Sequence, residues 1–341
     1  MIEIVDAGPL NTIQDLGRPG YRDIGVTASG AMDPLALKIA NLLVGNDQGA
    51  AGIEVQTFPF RLRFRETTVF AVTGGANAKI EGVVLPPWWM QTGDAGQVLE
   101  LLPSPVAARA YIAFAGGVDV PIVMGSRSTS LRGAFGGIDG RFLQKGDSLL
   151  LGESLATALP ADGLGVVPPA IALAEFFPVA PDSTLLIRAL PAGEYDLFGA
   201  DGERFWSQSW KISSQSDRTG YRLSGEPVRP TESVEMRSYG IVPGVVQVPP
   251  GGEPIVQMSD ANTAGGYPKI AGVLDADLWR LGQARIGSRL RFVRSSHAEA
   301  RTLDKAVAAY VDDVRNTSQM VGRALKTMAG PQRVVREGKH Q

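Results

Sequence analysis

The chain has 341 residues, with 33 basic and 35 acidic side chains and a net charge of −2. That balance gives no electrostatic reason for nucleic acid or an anionic membrane surface as a partner. There is no cysteine, and His297 and His340 are the only histidines, so thiolate chemistry, disulfides and a multi-histidine metal site are excluded and acid–base work falls to Asp, Glu, Lys or Tyr.

In chain order, residues 2–5 (Ile-Glu-Ile-Val) read as an opening strand with no basic, then apolar, leader pattern. The longest apolar runs fall short of a membrane span, so the expectation is a soluble, cytoplasmic protein. A polar, glycine-punctuated loop follows at Thr12–Tyr21, then Ser29-Gly-Ala-Met-Asp33. Pro34–Val44 has helical apolar spacing, with Asp33 as N-cap, Pro34 at the first helical position and Gly45 as the stop. A cap can also leave helix-start amides open to an anion.

Strands are expected at Gly52–Thr57, Arg61–Phe64, Thr68–Thr73, Val83–Leu85, Gln97–Leu102 and Ala110–Phe114. The glycine-rich run 125–141 reads as a long flexible loop with three arginines, able to wrap an anion or simply to carry surface charge. Residues 153–183, rich in Ala, Pro and Gly, read as the connection between two domains. Strands resume at Thr184–Arg188, Gly244–Val248 and Pro254–Met258, with a short aromatic helix or turn at Glu203–Trp210. Residues 297–328 show helical periodicity, packed on a neighbouring element or a partner, and the last ten residues read as disordered. The 41 glycines and 23 prolines among short apolar runs predict a mainly β protein.

The densest chemistry lies at Ser259-Asp-Ala-Asn-Thr-Ala-Gly-Gly-Tyr-Pro-Lys269. Paired glycines let a backbone turn sharply and let a ligand approach, and Lys269 adds a cation. The same stretch also reads as a decorated hairpin turn. Its surroundings echo an earlier stretch: Lys79 and Trp89 match Lys269 and Trp279 at 190 positions' distance, and Arg18–Arg22 matches Arg218–Arg222 at 200. Ordered matches of this kind suggest an internal duplication. No complete phosphate loop, dinucleotide fingerprint or biotin-carrier lysine motif is present.

Six ordered motifs carry a family resemblance: Gln14–Tyr21, Ser29–Asp33, Gly125–Ser128, Gly136-Gly137, Arg218–Arg222 and Asp260 with Thr263–Lys269. Together they resemble the allophanate hydrolase subunit 2 family, also called the biotin-dependent carboxyltransferase family, over residues 2 to about 293. Residue 264 is Ala where the family pattern leads one to expect a second Thr. The resemblance implies two cyclophilin-like β-barrels at 1–155 and 180–296, with a helical tail at 297–330. It also implies one component of an ATP-dependent 5-oxoprolinase complex that opens the lactam to glutamate, inactive without A-like and B-like 5-oxoprolinase partner chains.

On that reading Lys269 and Asp260 are the catalytic candidates. Arg18, Ser29, Asp33, Arg218, Tyr221, Arg222, Thr263 and Tyr267 are the substrate-binding candidates. ATP with Mg2+, shared with a partner chain, is the expected cofactor, with Asp15, Asp33 and Asp260 available as carboxylates. No biotin is expected on this chain. Two other roles stay open: the carboxyltransferase component of a urea or amide carboxylase, and a non-catalytic regulator that binds a kinase-inhibitor protein.

Overall fold

The computed structural model describes residues 1–154 and 163–329. The expected disorder of the last ten residues, and the proposed boundary at residue 155, lie outside them.

Two six-stranded antiparallel sheets share one core in the first half. From edge to edge, one runs Ser148–Leu149, Ile2–Asp6, Phe60–Phe64, Val98–Pro103, Ala76–Ile80, Val83–Val84. The other runs Leu164–Gly165, Trp89–Gly93, Thr68–Gly74, Ala110–Phe114, Gly52–Val55, Thr12–Gln14. Strand side chains alternate between faces, so Ile2, Ile4, Leu62 and Leu99 of the first sheet meet Ile53, Phe70, Ile112 and Phe114 of the second. Each such side chain contributes about 1.5–3 kcal/mol when fully buried.

The second half closes a seven-stranded barrel in the order Leu185–Pro191, Lys269–Val273, Val245–Gln247, Ile255–Gln257, Gly220–Ser224, Trp210–Ile212, Arg289–Arg294. Its closing pair, Leu185–Pro191 with Arg289–Arg294, is parallel. The mainly β fold is therefore observed, with sheets in one half and a closed barrel in the other.

Among the described residues there are five α-helices: α1 (Pro34–Leu43), α2 (Pro169–Ala172), α3 (Gly199–Ser207), α4 (Asp275–Gln283) and α5 (His297–Ala329). Helix α1 is buried on nearly every side because it lies between the second sheet and α5. The Asp33 carboxylate caps it by accepting from the Ala36 amide at 2.9 Å. Helix α3 supplies the expected aromatic anchors, and the ring of Phe205 stacks on Phe292 at 4.5 Å. Helix α5 packs on its own chain through Leu303, Tyr310, Val311 and Val314. The Tyr310 hydroxyl donates to the Val167 carbonyl at 2.7 Å.

Three expectations change. The stretch 153–183 is more than a connection: Leu164–Gly165 pairs with Trp89–Met90, and Leu173 and Phe177 join the α1–α5 core. Run 125–141 is anchored, with Ser126, Ser128 and Thr129 buried. The matched strings coincide only in part. Lys79 and Lys269 both lie in strands, whereas Trp89 opens a strand while Trp279 lies in α4, and Tyr21 lies in a loop while Tyr221 is in a strand. Among the described residues no helix is long and apolar enough to cross a membrane.

Candidate functional site

A buried charge network joins the two halves. Glu54 sits in an otherwise apolar strand and is 1% exposed. Its Oε1 accepts from Nη1 of Arg218, and the Arg109 Nε lies 3.8 Å away. Its Oε2 accepts from the Met32 amide at 2.8 Å and from its cross-strand neighbour Tyr111 at 2.7 Å. Burial alone would raise the Glu54 pKa, but Arg218 and Arg109 outweigh it and hold the carboxylate below its ordinary value.

Arg218 is fully spoken for. Its Nε and Nη2 reach the two Asp260 oxygens at 2.9 and 3.2 Å, and Nη2 donates to the Gly30 carbonyl at 2.6 Å. Gly30 takes φ 95°, and a Cβ there would stand 2.9 Å from the Gly17 amide nitrogen, so this acceptor needs glycine. Burial works against the Arg218 charge, but Asp260 and Glu54 raise its pKa. Arg109 donates to the Tyr221 hydroxyl at 2.8 Å and to Gln56 Oε1 at 2.8 Å. Gln283, at the end of α4, donates to Asp33 Oδ2 at 2.8 Å and accepts from the Arg109 amide at 3.1 Å. Burial pushes the Asp33 carboxyl up to about 6, against its hydrogen bonds from Ala36 and Gln283.

A cleft of about 540 Å³ opens between the halves. Thr27, Ser130, Arg132 and Phe135 line it from the first half, and Asn262, Thr263 and Ala264 from the second. The second wall is clamped from across the cleft. Arg22 donates to the Ile241 and Asn262 carbonyls, and Arg132 donates to Asn262 Oδ1.

A two-part chain whose halves enclose one cleft matches the family model "Carboxyltransferase domain, subdomain A and B" over residues 24–294. The chain belongs to this carboxyltransferase family. It is 40% identical to the 5-oxoprolinase C subunit of Escherichia coli strain K12, over 95% of this chain and 98% of that one. It is 32% identical to the urea amidolyase of Lachancea kluyveri over 92% of its own length, but spans only 18% of that protein. The crystal structure of the Kluyveromyces lactis urea carboxylase superposes with a TM-score of 0.81 at 30% identity, covering 93% of this chain and 29% of that one.

The carboxyltransferase-family cleft gathers some of the candidates named from sequence and leaves others apart. Thr263 lines it, while Asp260, just before the Asn262–Ala264 wall, is paired with Arg218. Arg18 is buried, donates to the Ser128 and Val123 carbonyls, and lies over the ring of cleft residue Phe135 at 4.8 Å. Ser29 takes φ 54° and its buried hydroxyl has no partner among the described residues. Tyr221 faces the barrel core, so Arg222, next along the strand, points outward and is exposed. Tyr267 is exposed, and its carbonyl accepts from Gln247 at 3.3 Å.

Lys269 is buried, with Nζ 3.1 Å from the centre of the Tyr239 ring and 3.4 and 3.5 Å from the Gly265 and Tyr267 carbonyls. Burial lowers its pKa, opposed by Glu194. Glu194 in turn accepts from the Tyr239 hydroxyl and the Lys269 amide.

The carboxylates named for a metal-bound nucleotide do not converge. Asp15 accepts from the hydroxyls of Ser126 and Ser128 and the amides of Gly17 and Arg127. Asp33 caps α1, and Asp260 is taken by Arg218. Among the described residues no cluster of three acidic or histidine side chains could hold a metal ion. The donor set of the described residues does not by itself fit Mg2+.

No sequence motif marks Glu54, Arg109, Tyr111, Gln283 or Arg132 as a site residue. A carboxylate within the apolar run Gly52–Val55 was the available signal for Glu54.

Proposed function

We propose that this chain is one component of an ATP-dependent 5-oxoprolinase complex that opens 5-oxo-L-proline to L-glutamate together with A-like and B-like chains. The observation that carries this reading is the 40% identity to the E. coli C subunit over almost the whole of both chains. The inter-half cleft takes the small amide, with Thr27, Ser130 and Thr263 as hydrogen-bonding groups and Phe135 as an apolar wall. A lactam amide resists attack, and ATP supplies the activation of its oxygen. The carboxylates here are already committed, so the reading places the ligands of Mg2+-ATP on a partner chain. Asp260 acts through Arg218, positioning the Asn262–Ala264 wall. The assembly is soluble and cytoplasmic on this reading.

The test is to purify the chain with its A-like and B-like partners and follow ADP release with and without 5-oxoproline. Substrate-dependent ADP that vanishes when this chain is omitted supports the reading. A stable complex without such turnover overturns it.

A second reading, a carboxyl-transfer module using carboxybiotin from another chain, draws support from the urea carboxylase superposition. Urea-dependent consumption of bicarbonate and ATP in the presence of a biotin carboxylase would favour it instead.

A further inference from the structure

We propose that Arg132 recognises a carboxylate on the ligand of the inter-half cleft; this rests on the function proposed above and names the ligand class of the same site. Three arginines lie in run 125–141, and their surroundings differ. Arg127 pairs with Asp119 at 2.9 Å, and Arg141 grips both oxygens of Asp147 at 2.8 Å. Arg132 has no carboxylate within ion-pair distance among the described residues. It is also the one of the three that lines the cleft.

Arg132 is the sole charged side chain among the residues lining this cleft, whose other polar groups are the neutral Thr27, Ser130, Asn262 and Thr263. The nearest acid in sequence on the opposite wall, Asp260, is bound by Arg218 through both oxygens. A guanidinium has five N–H donors in a planar fork suited to a carboxylate. Asn262 Oδ1 takes a bond from Nη1 alone, and Arg22 holds that residue's backbone carbonyl. Asn262 therefore orients Arg132 and leaves donors free.

A cleft with one uncompensated cation, hydroxyl and amide groups and a single aromatic ring fits a small amide that carries a carboxylate. A neutral amide such as urea would leave the cation without a counter-charge.

The experiment measures KM for 5-oxoproline, and inhibition by the neutral lactam 2-pyrrolidinone, in the full complex carrying wild-type chain, Arg132→Ala or Arg132→Lys. Arg132 is exposed, so an unchanged melting curve is expected. Loss of a charge-assisted pair raises KM for 5-oxoproline about tenfold or more in Arg132→Ala. Inhibition by 2-pyrrolidinone stays unchanged, and Arg132→Lys recovers part of the loss. Equal effects on both ligands, or on neither, overturn the proposal.

If the wild-type complex fails to turn over 5-oxoproline, the functional reading falls, and calorimetric titration of the full chain with 5-oxoproline decides the carboxylate site. Binding lost in Arg132→Ala supports it. Equal binding, or none to the wild type, overturns it.

Discussion

Glu54 and Arg218 stand 164 positions apart and form a buried ion pair across the junction of the two halves. Neither is spare: Glu54 also serves Met32 and Tyr111, and Arg218 also serves Asp260 and Gly30. Removing the Glu54 charge leaves the buried Arg109 guanidinium without a carboxylate among the described residues, since Arg218 still holds Asp260. An uncompensated buried charge costs far more than the intact pair contributes. Glu54→Gln is therefore expected to destabilise the chain by about 3–5 kcal/mol. The surface pair Arg61–Glu100 is a control, with side chains 44% and 24% exposed. Glu100→Gln is expected to cost less than about 1 kcal/mol. Urea unfolding of both variants checks the contrast, and similar losses would show that the junction is not held by this network.

The junction is also close-packed. A Cβ on Gly282 of α4 would lie 2.1 Å from the Met32 carbonyl, where only backbone can yield. The adjoining Gly282 carbonyl accepts from Arg109 Nη1 at 2.5 Å. Gly282→Ala gains helix propensity yet forces α4 away from the first half. A net loss of about 1–3 kcal/mol is expected, together with faster proteolysis between the halves. A neutral or stabilising result on thermal melting would mean that α4 can slide without disturbing the junction.

Asp33 gives the junction a pH dependence of known sign. Its carboxyl is raised from 3.8 to about 6 by burial. The folded state thus favours the protonated form, and its stabilising effect is complete below the unfolded value. It is lost as pH rises from about 4 through 6. Asp33→Asn keeps a capping oxygen and removes the titration. Urea midpoints from pH 4 to 7 should fall with a slope in the wild type that the variant lacks. Parallel slopes would assign the pH dependence to another group.

Local rules reached the elements and stopped short of the junction. The α1 cap, the periodic α5 and most strands of the first half follow from spacing and turn residues, because capping and alternation are short-range effects. Helix α4 carries no local start signal, since Asp275-Ala-Asp277 follows a strand without a break and Leu274 offers no side-chain cap. Glu54 and Arg109 lie 55 residues apart in sequence and are joined to Arg218 only by the topology, so no local pattern unites them. The glycine-rich stretch at 259–269 was legible as a site wall, whereas Arg132, in a loop open to two readings, needed the absence of a nearby carboxylate to be visible.

Lys269 poses a choice between structural and chemical work. Its Nζ rests on the Tyr239 ring and makes only long contacts with two carbonyls, so the amine is desolvated without a direct carboxylate partner among the described residues. As a purely structural cation, it would pin the short pair Tyr239–Gly240 and Ala264–Gly265 over the barrel. As a source of charge for the reaction, it would set a pH limb, and burial moves that limb below the ordinary 10.5 of a lysine. Lys269→Met keeps the apolar stem and removes the amine. If the charge acts in the reaction, kcat of the complex falls about hundredfold or more with KM and melting temperature little changed, and the alkaline limb of the pH profile disappears. If it acts only as a pin, KM rises and melting falls together while the limb persists. The second pattern would remove Lys269 from the chemistry and leave it as a support for the wall that carries Thr263.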